Sequence, residues 1–111
     1  MSFITLADMA GYDVEVSELD VEFANTYTKQ FLYIYNISPE NLTPEGLAWA
    51  KEYAKIVALR RAYIRLAQSE DSRFFEKAQQ MLQLQNELEK QFSTKFAVEP
   101  PEPNVYKVTR A

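Results

Sequence analysis

From Thr43 to about Gln68 the chain carries an unbroken helical pattern, and this stretch constrains the fold more than any other. Thr43-Pro44-Glu45 opens it. Threonine caps, proline sits at the first helical position where its missing N–H costs nothing, and the glutamate complements the helix dipole. The apolar residues beyond this cap lie nearly all round the helix: Leu47, Trp49, Tyr53, Ile56, Val57, Leu59, Tyr63, Ile64 and Leu66. A helix with no polar side needs neighbours in several directions, so the rest of the chain is expected to wrap around it. Ala50, Ala54, Ala58 and Ala62 form a stripe of small side chains at four-residue steps. The stripe either lets a second helix come close or reflects helix propensity alone.

Two further helices are expected on either side of it. Ser17 is a good N-cap, followed by Glu18 and Asp20 in the first turn. Leu19, Phe23, Tyr27, Phe31 and Ile34 recur at helical spacing, which predicts a helix over 18–36. Asn36 to Asn41 contains Pro39 and reads as a loop. After the turn at Ser69-Glu70-Asp71-Ser72, a last helix is predicted over 72–92. Phe74, Phe75, Ala78, Met81, Leu82, Leu88 and Phe92 mark its buried face, and Gln79, Gln80, Gln83, Gln85 and Asn86 a polar, weakly charged face. Those amides are either solvated or in contact with a partner. Near the N-terminus, Thr5-Leu6-Ala7-Asp8 has capping-box form and predicts a turn or two of helix from Leu6 to Ala10, stopped by Gly11. Tyr12–Val16 is then a short acidic connector.

The composition changes after Phe96. Ala97-Val98-Glu99-Pro100-Pro101-Glu102-Pro103 holds three of the five prolines and predicts an extended, semi-rigid spacer. In Asn104-Val105-Tyr106-Lys107-Val108-Thr109-Arg110, several residues favour strand, yet no partner strand is evident. Such a segment either adds a strand to another protein's sheet or is a disordered terminus. The fold class expected is therefore all-α: a small bundle of three long helices plus a short N-terminal helix, in residues 1–96, with an extended C-terminal arm in residues 97–111.

The charges are unevenly placed. Residues 1–45 carry eight acids and one base, net −7, whereas residues 46–111 carry eight acids and eleven bases, net +3. Two arrangements satisfy this polarity. Asp13, Glu15, Glu18, Asp20 and Glu22 could face Lys55, Arg60, Arg61 and Arg65 of a neighbouring copy, or the two sets could be solvated or paired within one molecule.

Several chemistries lack their residues. The chain has no cysteine and no histidine, so disulfides, thiolate or imidazole metal sites, and Cys–His or Ser–His pairs are excluded. Its two glycines cannot build a phosphate-cradling loop. Carboxylates are plentiful but no motif singles one out, so neither enzyme activity nor a cofactor or metal is expected. Lys51, Lys55, Arg60, Arg61 and Arg65 are the best basic footprint for DNA, against a pI of about 4.9; pairing with the acidic N-terminal region is the simpler role for them. No signal peptide or membrane span is expected, which points to a reducing cytoplasm or to a particle assembled there.

The order of segments resembles the small head–tail connector proteins of tailed bacteriophages, also called head-completion or adaptor proteins. Ile4–Tyr12, Leu19–Tyr35, Ala48–Leu66 with its alanines, and Asp71–Leu82 carry the likeness. The resemblance implies a homo-oligomeric ring of about twelve copies beneath a portal protein. Such a ring extends the DNA channel, offers a docking surface to a tail or stopper protein, and lets DNA pass without specific binding. Carried onto this chain, Pro100, Pro101, Pro103, Asn104, Val105, Tyr106, Lys107, Val108, Thr109 and Arg110 would form an arm grasping the portal. Asp13–Glu22 and Lys55–Arg65 would be the candidate intersubunit faces. The location implied is the virion's head–tail interface, after assembly in the host cytoplasm. A helical regulatory adaptor for a host protein and a DNA-binding regulator are the other two classes in play.

Overall fold

The structure, a computed structural model, describes residues 2–69 and 71–95. Among them are three long helices: α1 (Glu18–Ile34), α2 (Pro44–Ser69) and α3 (Phe74–Lys95). Short 3-10 turns occupy Leu6–Met9 and Pro39–Asn41, and no strand occurs among the described residues. The all-α bundle expected from the sequence is what forms. The arm expected in residues 97–111 lies outside the described residues.

The caps act as their residue types dictate. The Ser17 hydroxyl accepts the Asp20 N–H at 3.2 Å, and the Asp20 carboxylate accepts the Ser17 N–H at 3.0 Å, which closes a reciprocal capping box at the start of α1. Thr43 Oγ1 accepts the Gly46 N–H at 3.0 Å at the start of α2. At Thr5, the N–H and hydroxyl both donate to Asp8 Oδ2. The aspartate is short, and the chain makes a single 3-10 turn that ends at Met9, not a helix to Ala10. Gly11 then takes a φ of +93°, a left-handed conformation that glycine adopts without steric cost.

Helix α1 stops at Ile34, two residues before the expected end. Asn36 has φ 59°. Its N–H donates to the Tyr33 carbonyl at 2.9 Å, and the Ile37 N–H donates to the Leu32 carbonyl at 3.0 Å. This is a Schellman closure with asparagine in the left-handed position.

Helix α2 packs against both α1 and α3, as its nearly all-round apolar surface requires. Ala50, Ala54, Ala58 and Ala62 are wholly enclosed, as are Ala24 and Thr28 of α1. Small side chains let neighbouring backbone come close, so the alanine stripe is a packing surface. Where α1 and α3 reach the N-terminal half of α2, an aromatic cluster joins all three. Trp49 stacks on Tyr53 with centroids 4.8 Å apart, and Phe92 lies 4.6 Å from Trp49 and 5.5 Å from Phe31.

The N-terminal segment belongs to the core. Phe3, Ile4, Met9, Val14 and Val16 are all buried, so Tyr12–Val16 is more than an acidic connector: its two valines anchor it. Asn25 of α1 holds the segment in place. Its Oδ1 accepts the N–H groups of Phe3 and Ile4 at 2.9 and 3.1 Å, and its Nδ2 donates to the Ile4 carbonyl at 3.0 Å. Asn25→Ala would leave three buried backbone groups without partners, each costing about 1–3 kcal/mol unless water reaches it. The expected result is a loss of about 2–3 kcal/mol, with amide exchange speeding up at Phe3 and Ile4 before the rest of the protein. Unchanged exchange at those two amides would show that the clamp is dispensable.

Two faces differ from the sequence reading. Leu19, Phe23 and Ile34, the residues that mark α1 as a helix, are 69%, 41% and 53% exposed. The inward face of α1 is instead Asp20, Val21, Ala24, Asn25, Thr28 and Leu32. Small and polar residues fill it because the alanine-rich helix and the N-terminal segment leave little room and demand hydrogen bonds. On α3, Phe75 is exposed and Gln85 is buried. Positions 74, 78, 81, 85, 88 and 92 form one stripe at alternating steps of four and three. Gln85 falls on that stripe and Phe75 falls one residue off it.

Candidate functional site

Around the C-terminal half of α2, the two faces of the bundle are treated differently. The N-terminal segment covers one. Tyr63 OH donates to Asp13 Oδ1 at 2.6 Å, Lys77 Nζ donates to Asp13 Oδ2 at 2.9 Å, and Arg65 Nη2 donates to the Glu15 carbonyl at 2.9 Å. The other face is open. Three recesses adjoin there, the first bordered by Leu19, Asp20 and Arg65, the second by Phe23, Tyr27 and Gln85, the third by Phe75, Ala78 and Leu82. Ile64 lines all three, Arg61 the first two and Arg60 the last two, so they lie side by side as a groove between α1 and α3 with α2 as its floor.

Three of the nine candidate residues of the two charged sets, Asp20, Arg61 and Arg65, converge at one end of this groove, within one molecule. Asp20 is 1% exposed. Its Oδ1 lies 3.3 Å from Arg61 Nε, and its Oδ2 receives Arg65 Nη1. A carboxylate so enclosed is unavailable to a neighbouring copy, and the expectation that Asp20 belongs to an intersubunit face is corrected accordingly. Burial of the charge is tolerable because two guanidinium groups and the Ser17 N–H surround it. Arg61 also lies over the Phe23 ring, 4.3 Å from its centroid, so its charge faces a carboxylate and an aromatic face together. The footprint considered for DNA is thereby partly neutralised from inside.

Asp13 is likewise engaged, with Tyr63 and Lys77. Glu15, Glu18 and Glu22 are exposed and their carboxylates form no ion pair among the described residues. Lys55 is half-buried and lies, with Lys51, close enough to Asp8 to help Thr5 lower its pKa. Arg60 is half-buried in the middle of the groove and has no carboxylate within ion-pair distance among the described residues. The candidate arm residues Pro100, Pro101, Pro103, Asn104, Val105, Tyr106, Lys107, Val108, Thr109 and Arg110 lie outside the described residues.

The groove residues that sequence reasoning missed are Leu19, Phe23, Phe75 and Gln85. Gln85 is 3% exposed, and its Oε1 accepts no hydrogen bond. Its Nε2 donates to Glu89 at 3.3 Å and reaches Tyr27 OH at 3.5 Å. An unmet buried acceptor costs about 1–3 kcal/mol. The unbroken six-position stripe of α3 was the signal that could have found this glutamine.

Two tyrosines and one carboxylate make the fold pH-sensitive. Burial and the hydrogen bond to Asp13 push the Tyr63 phenol up to about 12 from 10.0. Burial and the bond from its OH to Glu89 Oε2, 2.6 Å, push Tyr53 up as well. The hydrogen bonds from Tyr63 and Lys77 lower the Asp13 carboxyl below 3.8. Raised groups stabilise the fold fully below their unfolded pKa and lose that effect as pH rises through the folded value. A depressed carboxyl stabilises above its unfolded pKa and loses the effect as pH falls through the folded one. Stability is therefore expected to decline from about pH 10 towards pH 12, and again below pH 3.8. Urea melts across that range check this, with absorbance at alkaline pH showing that Tyr53 and Tyr63 resist ionisation while the protein stays folded. Ordinary titration of Tyr53 and Tyr63 in the folded protein would contradict it.

No group of three or more acidic residues that could hold a metal ion occurs among the described residues, and no described helix is long and apolar enough to cross a membrane. No protein-family model, curated protein or solved structure matches this chain.

Proposed function

We propose that this chain is a structural adaptor of a tailed-phage particle, forming a ring between portal and tail that extends the DNA channel. The observation that carries the adaptor part is the open groove. Leu19, Phe23 and Phe75 are 69%, 41% and 47% exposed around it, and exposed apolar surface beside unpaired charge marks a place that other chains cover. The phage context comes from the resemblance of the segment order to head–tail connectors. On this reading about twelve copies close a ring, Pro100–Arg110 docks on the portal protein, and a tail or stopper protein binds the opposite side. DNA passes through without being gripped, which the chain's net charge of −4 favours. The protein is then a virion component without enzymatic activity, assembled in the host cytoplasm.

A paired pull-down tests this, with residues 1–111 and residues 1–96 as baits in native lysate and circular dichroism confirming that both are helical. Full-length bait should retain a portal or tail protein that the shorter bait loses. Recovery of one non-viral partner by both baits would replace the reading with that of a regulatory adaptor. Recovery of nucleic acid alone, with affinity falling steeply in salt, would replace it with that of a DNA-binding regulator.

A further inference from the structure

We propose that the groove between α1 and α3 is the seat for residues 96–103 of a second copy of this chain, Phe-Ala-Val-Glu-Pro-Pro-Glu-Pro. The groove itself states what its occupant must bring. Its floor and walls are apolar and aromatic, from Ile64, Val57, Phe23, Tyr27 and Phe75. Arg60, in the middle, lacks a carboxylate among the described residues, and Gln85 beside it has an acceptor without a donor. The fitting segment is thus apolar, carries a carboxylate, and has a free backbone N–H.

Three acidic or extended stretches of the chain can be compared. Asp13–Glu22 is already folded, with Val14, Val16 and Asp20 in the core, so it cannot enter a groove. Residues 104–111 carry Lys107 and Arg110 and no acid, the wrong sign for Arg60 and Arg61. Residues 96–103 combine Phe96 and Val98 with Glu99 and Glu102. Proline-rich segments suit aromatic-lined grooves because little conformational entropy is lost when they bind.

Chain length decides between the molecule's own segment and a neighbour's. The groove residues from Phe75 to Gln85 lie 10 to 20 positions before Lys95, roughly 15–30 Å back along α3 at 1.5 Å per residue. Glu99 is four residues beyond Lys95 and spans at most about 14 Å. Glu102 reaches about 25 Å only if every residue points straight back, and a chain leaving α3 must first reverse. A second copy is under no such limit. The arrangement is heterologous: groove of one, segment of the next, repeated until a ring closes or a filament grows. It does not depend on the particle reading, because it concerns copies of this chain alone; where both hold, residues 104–110 alone are left to reach the portal.

The absence of cysteine provides the test. Full-length Gln79→Cys and Pro103→Cys chains are mixed at high concentration and treated with a short bis-maleimide. Cross-linked pairs joining one variant to the other are expected. Arg60→Glu in the first chain should lower their yield roughly tenfold, and Glu99→Arg with Glu102→Arg in the second should restore it. If Arg60→Glu proves unfolded by circular dichroism, the doubly reversed segment against an unchanged body tests the same contact from the other side. Closure within single molecules of the Gln79→Cys/Pro103→Cys double variant at high dilution would overturn the second-copy proposal in favour of self-docking. No mixed cross-link, or a yield indifferent to charge reversal, would overturn the segment as occupant. The mixture contains no portal or tail protein, so its failure is distinct from failure of the pull-down.

Discussion

Trp49→Ala is expected to cost about 3–5 kcal/mol of stability, close to the whole reserve of a marginal small domain. The indole sits where all three helices meet. It stacks on Tyr53, contacts Phe92 and Phe31 with centroids 4.6 and 5.4 Å away, and is 6% exposed. Its Nε1 donates to the Leu88 carbonyl at 2.9 Å, which pins α2 to α3. Alanine would leave a void bounded by three stiff rings that cannot collapse into it. At about 4–8 °C per kcal/mol for a domain of this size, the melting temperature should fall by at least about 12 °C. Trp49→Phe, which keeps a ring but not the hydrogen bond, should lose far less. Urea unfolding followed by circular dichroism measures both, since the mutation removes the sole tryptophan. A loss below about 1 kcal/mol for alanine would mean that the cluster is not the centre of the core.

The second large effect is asymmetric. Replacing both Arg61 and Arg65 by alanine should cost about 3–5 kcal/mol, because it leaves the buried Asp20 carboxylate without a counter-charge. Asp20→Ala should cost less, about 2–4 kcal/mol. That change removes the carboxylate half of the α1 capping box and two charge-assisted contacts, and keeps the Ser17 hydroxyl cap. It leaves arginines that are 46% and 43% exposed and can turn to water. Chemical denaturation of the three proteins at neutral pH would decide it. Equal losses would show that the carboxylate is better hydrated than its enclosure implies.

Much of this architecture is legible in the order of residues alone. Thr43-Pro44-Glu45 and Ser17-x-x-Asp20 locate two helix starts, because capping depends on residues adjacent in sequence. The alanine stripe and the nearly all-round apolar surface of α2 place it at the centre. The early stop of α1 is less plain: it turns on Asn36 adopting a left-handed conformation, a tolerance that asparagine has but does not always use.

The candidate site is less legible, and the reason is geometric. Periodicity marks Leu19, Phe23 and Ile34 as belonging to a helix, but it does not say towards which neighbour that helix turns its apolar stripe. Leu19, Phe23 and Ile34 face outward, while Tyr27 and Phe31 between them pack on the core, because Asp20 and Asn25 are needed inside, the one for two arginines and the other for the N-terminal backbone. Those partners lie 21 to 45 positions away in sequence, beyond what any local pattern encodes.

The sequence by itself determined the helices, their caps, the central position of α2 and the chemistries that the missing cysteine and histidine exclude. These are properties of neighbouring residues and of composition, and they need no knowledge of packing. Only the tertiary structure decided that Asp13 and Asp20 meet Lys77, Arg61 and Arg65 inside one molecule, that Asp20, Asn25 and Thr28 of α1 face inward, and that α1 and α3 part over Arg60 and Ile64 to leave a groove. Each of those outcomes depends on which surfaces come together when three helices and an N-terminal segment compete for the sides of α2. That competition is settled by volume and hydrogen-bond satisfaction across the whole fold.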